Sequence, residues 1–163
     1  IMSTVMPFKV VPLSSSVIII RPSWNQDQIN FPEYLSDYDF QILILKRSST
    51  LSTFSNSYAF PGGVLEKQDS FEVWEKGMKD FMREHGEKHQ DFTKRMCCLR
   101  ELFEETNLLL GKPLGTNEKE LTRESYLKEF KGNFLAFCKD SNFRPALDEL
   151  YAFARLGSPL GVP

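Results

Sequence analysis

Glu101, Glu104 and Glu105, in the run Arg100-Glu101-Leu102-Phe103-Glu104-Glu105, are the residues of this chain whose types and spacing could do chemistry. Residues three and four apart on a helix are neighbours, so the three carboxylates point together while Leu99, Leu102 and Phe103 face a core. Such a cluster repels itself unless a cation sits in it. Hard divalent ions such as Mg²⁺ bind oxygen ligands and keep positions open for water and phosphate, so the chemistry is metal-assisted phosphate chemistry. Taken alone, the run reads instead as a solvated acidic face, with Arg100 and Glu104 as an i,i+4 pair worth about 0.3–0.5 kcal/mol.

Upstream lies Phe60-Pro61-Gly62-Gly63-Val64-Leu65. Two glycines after a proline, following an alternating apolar stretch, predict a strand ending in a tight loop whose backbone approaches something closely. A glycine carbonyl or amide reaches a metal or phosphate where a side chain would block it. By itself this is an ordinary Pro-Gly turn.

Together the two motifs resemble the signature of the Nudix hydrolases: a glycine, five residues, an acid, seven residues, then Arg-Glu-apolar-x-Glu-Glu-x-Gly-apolar. Gly63 stands at the glycine, Asp69 at the acid, and Arg100 to Leu108 at the remainder. Asp69 replaces the usual Glu, and Asn107 replaces the closing Gly; Asn is the residue that best tolerates the left-handed conformation in place of glycine. Asp69 and Arg100 are 31 positions apart where the pattern has 8, an insertion of 23 residues. The stretch before the glycines resembles the coenzyme A-cleaving members: Leu-Leu-x-x-Arg-Ser, three residues, Arg, three residues, Gly, three residues, Phe-Pro-Gly-Gly. Arg47 and Ser48 match, Ser52 stands at the second Arg and Asn56 at the Gly. The insertion within the box, Phe-Pro-Gly-Gly-Val-Leu followed by an acid-Ser pair, and Leu-Lys-Arg-Ser together resemble the peroxisomal acyl-CoA diphosphatase branch.

The resemblance implies an α/β (α+β) Nudix fold, a mixed sheet between helices, over a single domain 1–163 with a helical insertion at about 70–92. It implies hydrolysis of the diphosphate linkage of coenzyme A or an acyl-CoA, giving adenosine 3',5'-bisphosphate and a phosphopantetheine. Glu101, Glu104, Glu105 and the Gly63 carbonyl would hold Mg²⁺ or Mn²⁺, with one glutamate able to act as base. Arg100 would orient a glutamate, and Asp69 would support the loop. Arg47, Ser48, Gly62 and Gly63 would bind substrate; the planar fork of Arg47 suits paired bonds to phosphate oxygens. The compartment implied is the peroxisome or mitochondrion, although no targeting signal is visible. Two other readings stay open: another nucleoside diphosphate-linked substrate, and a non-catalytic binding module.

Length and composition agree with this picture. A chain of 163 residues, 41% hydrophobic and 13% aromatic, is one domain's worth with a real core. A formal charge of −2, without a Lys/Arg-rich run, argues against electrostatic capture of nucleic acid. No segment approaches the roughly 20 apolar residues of a membrane span, and Val17-Ile18-Ile19-Ile20 reads as a buried strand closed by Arg21-Pro22. His85 and His89 have the spacing of a metal pair on a helix but lack a third nitrogen or thiolate ligand nearby. Cys97, Cys98 and Cys138 suggest neither a disulfide framework nor a zinc site; they suit a reducing compartment, with the first two buried for structural reasons.

The elements that must position these groups are strands at about 15–21, 39–46 and 58–60, with a loop from Asn25 to Tyr38 between the first two. Helices follow at about 71–84 and 92–106, the second capped by Asp91 after a bend near Gly86. The aromatic and methionine face of the insert, Trp74, Met78, Phe81 and Met82, either packs in the core or covers an acyl arm. Leu108 to Leu110 form a short strand or core plug. Segments 118–131, 133–139 and 145–155 read as helical, with Phe130, Phe134, Phe137, Leu147, Leu150, Tyr151 and Phe153 as packing residues. The chain begins at Ile1 rather than Met and stops at Pro163 before the later strands of the Nudix fold, which predicts a fragment or processed product with an open sheet edge.

Overall fold

The computed structural model describes residues 13–22, 40–50, 54–80, 82, 89–113, 122–152 and 154. The fold is α+β. The described elements are ordered β1 (Ser14–Ser16), β2 (Ile20–Pro22), β3 (Phe40–Ile42), β4 (Leu45–Lys46), β5 (Tyr58–Ala59), β6 (Gly62–Val64), α1 (Phe71–Gly77), α2 (His89–Thr106), β7 (Gly111–Pro113), α3 (Arg123–Phe130), α4 (Phe134–Asp140) and β8 (Phe143–Pro145). Where a mixed sheet is expected, the described strands form four two-stranded antiparallel pairs: β1 with β6, β2 with β3, β4 with β5 and β7 with β8.

α2 is the axis of the molecule, because its sequence carries two apolar stripes. Phe92, Met96, Leu99 and Phe103, at helical intervals, are buried beneath α1, α3 and α4 with Trp74, Tyr126, Phe134 and Phe137. Cys98 and Leu102, on the adjoining face, meet Val17 beside β1. Aromatic rings dominate the first cluster: Phe103 stacks on Phe137 with centroids 5.3 Å apart, and Trp74 meets Phe92 edge-on at 6.3 Å. Of the aromatic and methionine face of the insert, Trp74, Met78 and Met82 therefore belong to the core, with Trp74 fully buried and Met82 nearly so.

Several elements differ from their sequence-based bounds for local reasons. The first helix of the insert stops at Gly77, since Met78 leaves helical geometry at φ −139°, ψ 65°. The strand expected at 15–21 is divided into β1 and β2, and of the apolar run only Val17 is buried while Ile20 is exposed. Asp91 lies inside the first turn of α2, which starts at His89, so it is not the cap. The described residues of 145–155 do not form an α-helix. Pro145 ends β8 opposite Gly111, a one-turn 3₁₀ segment spans Leu147–Glu149, and Tyr151 is 89% exposed. Pro145 pairs in a ladder from a position where no N–H is available. Leu109 and Leu110 do pack on the core, but the strand after α2 begins only at Gly111. The segment 25–38, Ser52, Phe81, His85, Gly86, residues 118–121 and Phe153 lie outside the described residues, as does the side chain of His89.

Candidate active site

The glycine loop is set by β1. Gly62 and Gly63 form β6 opposite Ser16 and Ser15, and a Cβ on Gly62 would lie 2.4 Å from the Ser15 carbonyl oxygen and 2.6 Å from the Ser16 Cα. With φ of 155°, this position admits glycine alone without strain. Gly63 faces the other way, toward the acidic helix. A Cβ there would lie 2.4 Å from the Glu101 carboxylate. The Gly62 amide donates to Glu105 Oε2 at 3.0 Å, so both glycines meet α2.

Beneath this junction lies Arg100, 1% exposed. Its five N–H groups all find acceptors. Nε donates to Asp69 Oδ1 at 2.8 Å and Nη2 to Asp69 Oδ2 at 3.0 Å and to the Val64 carbonyl at 3.2 Å. Nη1 donates to Glu101 Oε1 at 2.8 Å and Glu104 Oε2 at 3.3 Å. Burial opposes the charge on this guanidinium, but hydrogen bonding to Asp69 and the nearby Glu101 and Glu104 charges outweigh it and push its pKa up. The i,i+4 pair with Glu104 is thus one strand of a buried network, unlike the solvated pair of an exposed acidic face.

Asp69, fully buried, has a second task. Its Oδ2 accepts from the Glu66 amide at 2.8 Å, closing a capping box around the short 3₁₀ turn Lys67–Asp69 that leads into the insert. Shortening Glu to Asp at this position suits a carboxylate that must serve its own turn and the guanidinium together. Glu104 is held from the opposite side by Tyr126, whose buried hydroxyl contacts Glu104 Oε1 at 2.5 Å and the Gly132 carbonyl oxygen at 2.6 Å. Burial first, then the Glu104 carboxylate, pushes the Tyr126 phenol up. Burial likewise raises the Glu101 carboxyl, with Arg100 opposing.

A cavity of about 400 Å³ opens over the cluster, lined by Leu45 to Ser48 at the end of β4, by Ala59, Phe60 and Gly62, and by Glu104, Glu105 and Arg123. The structure therefore brings Arg47, Ser48, Gly62, Glu104 and Glu105 around one space, while Glu101, Gly63 and Arg100 pack outside its lining. Arg47 is held by its backbone, which donates to the Ser57 carbonyl at 2.9 Å, and Ser48 Oγ hydrogen-bonds Thr50 Oγ1 at 2.8 Å. Asn56 and Asn107, the two residues standing where the patterns have glycine, have φ of 57° and 63°. Asn107 thus ends α2 in the left-handed conformation, its amide donating to the Phe103 carbonyl at 2.9 Å.

The carboxylates outnumber the guanidinium they surround, and all their donors are hard oxygens. That chemistry fits a divalent cation. As placed, the side chains serve Arg100, Tyr126 and the Gly62 amide, and among the described residues no three His, Cys, Asp or Glu side chains form a ready ligand set. Cys97 and Cys98 are buried beside the loop. The Cys97 thiol contacts the Gly63 carbonyl oxygen at 3.6 Å, and burial pushes its pKa up to about 12, which disfavours the thiolate a nucleophile needs.

Two residues of the site, Tyr126 and Arg123, fall outside the motifs. Tyr126 and Arg123 come from α3, outside both signatures, and no local spacing announces that this helix docks on α2.

The chain is similar to the acyl-coenzyme A diphosphatase NUDT19 of Xenopus laevis, with 26% identity over 121 residues, 58% of this chain and 32% of that protein. It thus spans about a third of that relative's length. No family model matches the chain, and no solved structure matches it. Among the described residues no helix is long and apolar enough to cross a membrane.

Proposed function

We propose that this protein is a Nudix-type hydrolase that cleaves the diphosphate linkage of coenzyme A or an acyl-CoA, with Mg²⁺ or Mn²⁺ as cofactor. One observation carries the reading. Gly62 and Gly63 lie directly against Glu105 and Glu101, although a 31-residue separation of Asp69 from Arg100 interrupts the signature they belong to. Similarity to an acyl-coenzyme A diphosphatase supports the substrate class.

In this reading Glu101, Glu104, Glu105 and the Gly63 carbonyl hold the metal. A metal bound there supplies neutralisation of phosphate charge and a lowered pKa for bound water. Arg100 acts on the protein side alone: with every N–H engaged, it orients Glu101 and Glu104 and has no donor left for substrate. Tyr126 fixes the second oxygen of Glu104, so this carboxylate is gripped at both ends. Arg47, Ser48 and the Gly62 region line the space beside these carboxylates, where paired charge-assisted bonds suit phosphate oxygens. Water attack on phosphorus would release adenosine 3',5'-bisphosphate and a phosphopantetheine. The peroxisome or mitochondrion is the compartment this substrate suggests.

The test is Glu104→Gln, which keeps shape and removes charge. Metal-dependent hydrolysis of coenzyme A should fall at least about a hundredfold. Unchanged turnover would remove the metal-site assignment, and faster hydrolysis of ADP-ribose than of coenzyme A would replace the substrate.

A further inference from the structure

Three cations line the cavity, and they come from two elements. Lys46 and Arg47 come from the end of β4; Arg123 comes from the first residue of α3. Among the described residues no carboxylate forms an ion pair with any of them, whereas Arg100, on the same helix that supplies Glu104, is fully consumed. Cations left without anionic partners around a cavity of this size are poised for an anionic ligand.

Arg123 is also anchored. Its backbone amide donates to Asn107 Oδ1 at 2.6 Å, so the residue that ends the acidic helix also fixes the start of α3. Thr122 caps the helix, its hydroxyl oxygen accepting from the Ser125 amide at 3.2 Å. The backbone that carries Arg123 is therefore tied to the helix that carries Glu104 and Glu105, in a way a glycine at position 107 could not provide.

We propose that Arg123 recognises a phosphate monoester of the nucleotide, separate from the diphosphate that is cleaved. The proposal rests on the coenzyme A reading for the nucleotide itself. Coenzyme A carries two anionic groups on its adenosine, the 5'-diphosphate and the 3'-phosphate, and the cavity presents cations from two separate elements. The diphosphate must lie by the carboxylates, next to which Arg47 and Lys46 stand with Gly62. Arg123, on a separate element, is then left for the second phosphate and makes the site selective for a 3'-phosphorylated adenylate.

Calorimetric titration of adenosine 3',5'-bisphosphate and of AMP, without metal, into wild type, Arg123→Ala and Arg123→Lys tests this. Wild type should bind the bisphosphate at least tenfold more tightly than AMP. Arg123→Ala should bring that ratio close to one with AMP affinity unchanged within twofold, and Arg123→Lys should retain part of it. Equal weakening of both ligands would place Arg123 on the shared 5'-phosphate and overturn the proposal; so would a ratio unaltered by Arg123→Ala, or wild type that does not discriminate. The side chain is exposed, so a circular dichroism spectrum identical to wild type is expected for both variants. Because the ratio needs no turnover, failure of the hydrolase reading is seen separately, as absent coenzyme A hydrolysis with the binding ratio intact.

Discussion

Asp69 and Arg100 meet side-on, with two parallel N–H···O bonds of 2.8 and 3.0 Å between groups each 1% exposed, across 31 positions of sequence. The pair closes the detour made by the insert. On one side, Asp69 ties the 3₁₀ turn that follows the glycine loop; on the other, Arg100 ties the acidic helix. A fork that engages Asp69, Val64, Glu101 and Glu104 together fixes the loop relative to the helix within hydrogen-bond tolerance.

Removal of that fork should therefore be costly for stability as well as for activity. Arg100→Met leaves Asp69 charged, buried and unpaired, and about 3–5 kcal/mol of stability should be lost. Arg100→Lys keeps the charge but offers three donors from one point, too few for the five acceptors in their fixed plane, and should recover only part of the loss. Urea denaturation of the two variants checks the order; equal stability of wild type and Arg100→Met would refute it.

The adjacent glycines should fail in different ways. Alanine at Gly62 collides with the Ser15 and Ser16 backbone at a φ that side chains avoid, so strand β6 must move and stability should drop by several kcal/mol, about 2–4. Alanine at Gly63 meets only the carboxylate end of Glu101, which can swing away from Arg100. Its stability should change by about 1 kcal/mol or less, while coenzyme A hydrolysis collapses because Glu101 is displaced. Thermal melts beside a turnover assay separate the two outcomes, and equal loss of stability in both variants would contradict the contrast.

Much of this arrangement was legible from local pattern. The 3.6-residue rhythm of Phe92, Met96, Leu99 and Phe103 announces α2 and places its glutamates away from the core, and tolerance of φ > 0 by Asn explains why Asn107 still ends that helix. What local pattern missed depends on long-range pairing. The run 145–155 has apolar residues at helical intervals, but β8 is drawn into a ladder with β7 and the following residues leave helical geometry, which exposes Tyr151. The early end of α1 at Gly77 has a tertiary setting too, since a Cβ there would strike Leu135 of α4 at 2.7 Å. Tyr126 and Arg123 become site residues only because α3 docks on the end of α2 through Asn107, Glu104 and the aromatic cluster. No spacing within their own segment carries that information.

Tyr126 supplies a prediction in which stability and pH are linked. Its hydroxyl, with a single proton to donate, lies between Glu104 Oε1 and the Gly132 carbonyl oxygen, so Tyr126→Phe removes that donor and should cost about 1–3 kcal/mol at pH 8. The folded-state phenol titrates above its ordinary value of 10.0, because burial and the Glu104 charge both disfavour the phenolate. The unfolded chain then loses this proton first as pH rises. Wild-type stability is undiminished by this group below pH 10 and should fall above it, with a slope approaching about 1.4 kcal/mol per pH unit. Tyr126→Phe has no such proton to lose, so the gap between the two proteins should narrow from pH 8 to pH 11 in urea denaturation. Exposed tyrosines such as Tyr58 and Tyr151 are common to both proteins and cancel in the difference. A gap that widens with pH would mean that the phenolate is favoured in the folded state, and would remove Tyr126 as the donor that grips Glu104.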